Sequence, residues 1–132
     1  MDVKVKAVLG KELYYTEVVA GNNQLITDEP KELGGGDKGF NPFELLATSL
    51  ASCTAATLRM YADRKAWDLG NIEIEVNLQQ LKEQNKTLLV RTVRFGNADL
   101  DADQLKRLDI IANKCPVHKA LEGEIEIQTI VK

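Results

Sequence analysis

An α+β chain is expected from the order in which its periodicities change. Short alternating stretches come first, then one long stretch almost free of charge, then two strongly alternating stretches, a helical stretch and a last alternating one. Turn-forming residues at Gly21-Asn22-Asn23 and throughout residues 28–41 separate the first parts. With 132 residues, 44% apolar and 28% charged, the chain suits a single domain, residues 1–132.

Val3, Val5, Ala7 and Leu9 alternate with Asp2, Lys4 and Lys6, and Gly10-Lys11 ends the run. Leu13 to Ala20, rich in Tyr, Thr and Val, and Gln24 to Thr27 complete a three-strand meander. Residues 28–41 (DEPKELGGGDKGFN) carry one proline and four glycines without a period, so they form a long surface loop. Gly34, Gly36 and Gly39 match G-x-G-x-x-G. The residues ahead of them are polar rather than an apolar strand, which removes the context that a dinucleotide site needs.

Asn41 is a good N-cap and Pro42 suits the first helical position, where no N–H donor is needed, so a helix runs from there to about Ala66. Its 14-residue stretch Leu45 to Leu58 has no charge but carries Thr48, Ser49, Ser52, Thr54 and Thr57, too short and too polar to span a bilayer. That composition predicts a long central helix buried on every side. A chain this small needs a second copy to bury it.

Ile72, Ile74, Val76 and Leu78 alternate with Glu73, Glu75, Asn77 and Gln79. This half-exposed strand turns at Glu83-Gln84-Asn85 and pairs with Thr87 to Phe95 as a β-hairpin. Asp101 caps a second helix over Ala102 to Asn113, with Leu105, Leu108, Ile111 and Ala112 inward, and a final strand runs from Glu124 to Val131.

A net charge of −3 and a pI near 5.2 leave no basic stripe, so nucleic acid is not an expected partner. Residues 1–20 hold no apolar core behind a basic start, which points to a cytoplasmic protein without a membrane anchor. In that compartment two cysteines are expected as free thiols.

Cys53 is followed and preceded at helical spacing by Ser49, Leu50, Ala56 and Thr57, a small and neutral setting that suits an inert buried thiol as well as a reactive one. Cys115-Pro116-Val117-His118 reads as an N-cap and first turn. Backbone N–H groups there, with Lys114 nearby, favour the thiolate. Cys115-x-x-His118 offers two metal ligands where zinc needs three or four, so no metal is expected and His118 reads as a surface residue. Nothing places His118 beside Ser49 or Ser52 for a hydrolase triad.

Asn41-Pro42-x-Glu44-Leu45-Leu46 leading into Ala51-Ser52-Cys53, with Cys115-Pro116-Val117 placed 62 residues after Cys53, resembles the OsmC/Ohr family of osmotically inducible and organic hydroperoxide resistance proteins. The resemblance covers essentially the whole chain. It implies an OsmC-like fold, an intertwined homodimer whose sheets wrap two central helices, and active sites at the subunit interface. It also implies a thiol peroxidase without metal, flavin or haem. Cys53 would be oxidised by an organic hydroperoxide to a sulfenic acid, Cys115 would resolve this to a disulfide, and an external dithiol would reset the pair.

In that family a glutamate directly follows the helix-start proline and works with an arginine from the N-terminal strands or loop. Phe43 stands in the glutamate's place in this chain, and no arginine precedes Arg59. Glu44, nine residues before Cys53 at roughly 100° per residue, falls on the opposite side of the helix. Lys38 or Lys31 are the loop cations that remain, and Ser49 and Thr57 are pocket candidates. The alternative function is a redox-sensing or small-molecule-binding dimer with little peroxidase turnover.

Overall fold

The computed structural model describes residues 2–132. They fall into two compact units, one up to Leu46 and one from Ala47 to Lys132. Three helices and two small sheets give the expected mixed α+β fold.

In the first unit β1 (Lys6–Leu9), β2 (Thr16–Ala20) and β3 (Asn23–Thr27) form the antiparallel meander. The glycine-rich loop that follows is built around one side chain. Asp28 is buried, and its Oδ1 accepts the N–H groups of Tyr14 at 3.0 Å and Glu29 at 2.8 Å while Oδ2 accepts that of Lys38 at 3.1 Å. Such donors are what make a buried carboxylate tolerable. Glycine is required where this backbone closes on itself: a Cβ at Gly35 would run into the Glu29 carbonyl, and one at Gly39 into the Ile26 carbonyl.

Helix α1 (Pro42–Lys65) starts at a reciprocal cap, with Glu44 N–H donating to Asn41 Oδ1 at 2.8 Å and Asn41 N–H to Glu44 Oε1 at 2.9 Å. The second unit continues with β4 (Ile72–Leu81), β5 (Lys86–Phe95), α2 (Ala102–Ala112) and α3 (Pro116–Glu122). Asn85, left-handed at φ 49°, turns the hairpin. Its register sets Ile72 opposite Phe95, Ile74 opposite Val93, Val76 opposite Arg91 and Leu78 opposite Leu89. The core joins Leu58 and Ala62 of α1 to Leu69 and to Leu108, Ile111 and Ala112 of α2, with Ile72, Ile74, Val93 and Phe95 of the hairpin packed against them.

One chain does not enclose helix α1: only Leu50, Thr54, Leu58 and Ala62, one stripe at four-residue spacing, are buried, and Ser52 and Ala56 are exposed, as expected for a helix too uncharged for so small a chain to cover. Two expectations change. Leu105 does not join the inner face of α2 but is 46% exposed, because it borders an open cavity. Residues 124–131 form no strand, and Ile125, Ile127, Ile130 and Val131 are exposed. Alternation sets the two faces of a strand but not its ladder partner, and the β4–β5 sheet takes no third strand within the chain. Among the described residues no helix is long and apolar enough to cross a membrane.

Candidate active site

The two thiols meet within the second unit. Cys115 ends the connection from α2 and caps α3, its Sγ accepting the His118 N–H at 3.3 Å. Pro116 at the first helical position fixes the backbone for that cap. Cys53 and Thr54 approach from α1: the Thr54 hydroxyl donates to the Cys115 sulfur from 3.8 Å, and the Cys53 thiol is among the groups that favour its ionised form. Cys115 has no exposed surface, Cys53 is half-buried, and both are free thiols.

Burial pushes the Cys115 thiol up. The hydrogen bonds from the His118 N–H, the Cys53 thiol, the Thr54 hydroxyl and the Val117 N–H outweigh it and hold the group below its ordinary value. The expected N-cap effect is present, and Cys53 adds to it from across the fold.

Around this pair lies a network that sequence reasoning missed. Alternation along β5 puts Arg91 in the same inward row as Leu89, Val93 and Phe95, a charged residue in an apolar register. Its guanidinium donates through Nη1 to Thr54 Oγ1 at 3.0 Å and through Nη2 to Asn113 Oδ1 at 3.2 Å, and Nη2 also lies 3.0 Å from His118 Nδ1. His118, expected at the surface, is instead half-buried between Arg91 and Glu122, with Nε2 2.8 Å from Glu122 Oε1. The signal was legible: an arginine at an inward position of a strand needs acceptors.

The remaining predicted residues have other engagements. Lys38 pairs with Glu12 at 2.6 Å and lies 5.6 Å from the centre of the Tyr15 ring, and Lys31 is exposed in a short turn of 3-10 helix. Glu44 closes the N-terminal cap of α1, and Phe43 is 48% exposed. Ser49 and Thr57 are half-buried on α1. An open cavity of about 1020 Å³ in the second unit is lined by Leu50, Leu89, Val93 and Phe95, with Arg91 and His118 at its polar wall. Neither thiol is part of its lining.

Residues 35–130 match the OsmC-like protein family. The organic hydroperoxide resistance protein-like 2 of Staphylococcus epidermidis is 26% identical over 103 residues, 75% of this chain and 72% of that protein. The crystal structure of an organic hydroperoxide resistance protein OsmC from Legionella pneumophila superposes with a TM-score of 0.68 at 25% identity, covering 93% of this chain and 90% of the other. An OsmC-like protein from Mycoplasma pneumoniae shares the fold with a TM-score of 0.73 at 22% identity, covering 93% and 89%. Because the family match takes in α1, the β4–β5 hairpin and both thiols, the chain belongs to the OsmC/Ohr family.

Proposed function

We propose that the protein is a thiol-dependent peroxidase that reduces organic hydroperoxides. The observation that carries this reading is the nearness of two thiols 62 residues apart in sequence, the Cys53 thiol being one of the groups that hold Cys115 below its ordinary value. Cys53, the half-buried member, meets the peroxide, while Cys115 has no surface for it to reach. Cys115, held toward the thiolate, takes the Cys53 proton as the Cys53 sulfur attacks the terminal peroxide oxygen. The O–O bond breaks, leaving a Cys53 sulfenic acid and an alkoxide, which regains the proton from Cys115 and departs as the alcohol. The Cys115 thiolate then attacks the sulfenic sulfur, and the displaced hydroxide leaves as water with a solvent proton. An external dithiol exchanges with the disulfide and restores both thiols.

The working unit is a homodimer. This is supported by the uncovered face of α1 and by the exposed Ile125, Ile127, Ile130 and Val131, side chains that a second copy would shelter. Sedimentation at micromolar concentration tests it, and a stable folded monomer contradicts it.

A second reading, a redox-sensing or small-molecule-binding dimer with little turnover, draws on the burial of Cys115, which limits access of a reductant to the disulfide. Following hydroperoxide consumption with excess dithiol separates the two. Many turnovers per thiol pair support the peroxidase, whereas consumption that stops at stoichiometric oxidation supports the sensor.

A further inference from the structure

Arg91 joins all the elements around Cys115. It extends from β5 and holds Thr54 of α1, Asn113 at the C-terminal end of α2 and His118 of α3 with a single guanidinium. Two of these three residues touch the Cys115 sulfur, Thr54 with its hydroxyl and His118 with its backbone N–H.

The Thr54 contact has a further consequence. A hydroxyl has one proton to give. On Thr54 that proton is directed either to the Leu50 carbonyl, 2.7 Å away, or to Cys115 Sγ at 3.8 Å. Arg91 occupies the oxygen from the other side as a donor, so the Thr54 hydroxyl is confined to these two uses. A negative sulfur draws the proton to itself, and a neutral thiol leaves it on the carbonyl.

We propose that Arg91 is the cationic positioning residue of the thiol site: it orients Thr54 and His118 toward Cys115 and supplies the positive charge that favours the Cys115 thiolate. The proposal rests on the thiol-site reading above and deepens it. The titratable groups acting directly on Cys115 are Cys53 from α1 and, through its backbone N–H, His118 from its own helix; Arg91 from β5 stands one contact away, on Thr54 and the His118 ring, with Glu122 on the far side of that ring. Arg91 is the permanent cation among them.

The test titrates Cys115 by thiolate ultraviolet absorbance in a Cys53→Ser background, which isolates one thiol and requires no peroxide. Arg91→Met is expected to raise the midpoint so that the thiolate-to-thiol ratio near neutral pH falls roughly tenfold, the equivalent of about one pKa unit. Arg91→Lys, which keeps the charge and loses the fork, is expected between the two. Thr54→Val is expected to move the midpoint in the same direction as Arg91→Met, by less. An unmoved midpoint in a folded Arg91→Met protein overturns the proposal. If that variant does not fold, Arg91→Gln retains donors without charge, and an unmoved midpoint there overturns it equally. A normal titration shift in a protein that consumes no hydroperoxide would leave Arg91 in this role and remove the peroxidase reading, so the two fail separately.

Discussion

Arg91 Nη2 lies 3.0 Å from His118 Nδ1, and this contact determines which ring nitrogen carries the proton. Arginine only donates, so Nδ1 is the acceptor and Nε2–H faces Glu122 Oε1 at 2.8 Å. Nitrogen-detected NMR of labelled protein should find the neutral ring as the Nε2–H tautomer. Removing the acceptor in Glu122→Ala should shift that proton signal upfield. A dominant Nδ1–H tautomer contradicts the network.

Asp28 ties the acid stability of the first unit to the glycine loop. Burial raises its carboxyl, but the N–H groups of Lys38, Glu29, Tyr14 and Gly36 outweigh that and hold it below the ordinary carboxylate value. A depressed folded value means the stabilisation is fully present above the unfolded value, about 3.9, and is lost as pH falls through the folded one. Asp28→Asn should therefore lower stability at neutral pH and flatten the acid limb of the stability profile. Parallel acid limbs in denaturation experiments would show that Asp28 is not the group responsible.

Packing predicts a graded series in the second unit. Leu108, fully enclosed in the core, should lose about 2–5 kcal/mol on truncation to Ala. Asp101, whose side chain accepts the Gln104 N–H in a reciprocal cap, should lose about 1 kcal/mol as Asp101→Ala. Leu105→Ala should cost less than Leu108→Ala, because Leu105 is already 46% exposed. Urea unfolding of the three variants checks the order.

The parts of this structure governed by local chemistry could be read from the sequence. Asn41-Pro42 located the start of α1, the alternation from Ile72 to Phe95 gave the hairpin, and Cys115-Pro116 gave the sulfur-capped helix. What could not be read depends on a partner element. The uncharged face of α1 stayed uncovered, and the alternating stretch 124–131 stayed unpaired, because a pattern says which side is apolar and not what covers it. Arg91 lies between these cases. Its inward position followed from β5 periodicity, but Thr54, Asn113 and His118 reach it only through the packing of three helices on that sheet.

On the proposed peroxidase reading, the small, neutral side chains that helical spacing sets near Cys53 predict a substrate preference. Apolar contact stabilises bound hydrocarbon by about 25 cal/mol per Å² buried, a gain that hydrogen peroxide cannot collect. Bulky alkyl hydroperoxides should therefore react faster than hydrogen peroxide, with the advantage carried in kcat/KM. Equal rate constants for hydrogen peroxide and cumene hydroperoxide would contradict an apolar site at Cys53.

Peptide mapping by mass spectrometry after stoichiometric cumene hydroperoxide tests the thiol pair most directly. The account predicts a peptide linking the Cys53 and Cys115 fragments, with both free thiols lost from each chain. It also predicts that Cys115→Ser accumulates sulfenic acid on Cys53 and that Cys53→Ser consumes no peroxide. Peroxide consumption that persists in Cys53→Ser and vanishes in Cys115→Ser would reverse the two roles and contradict the mechanism.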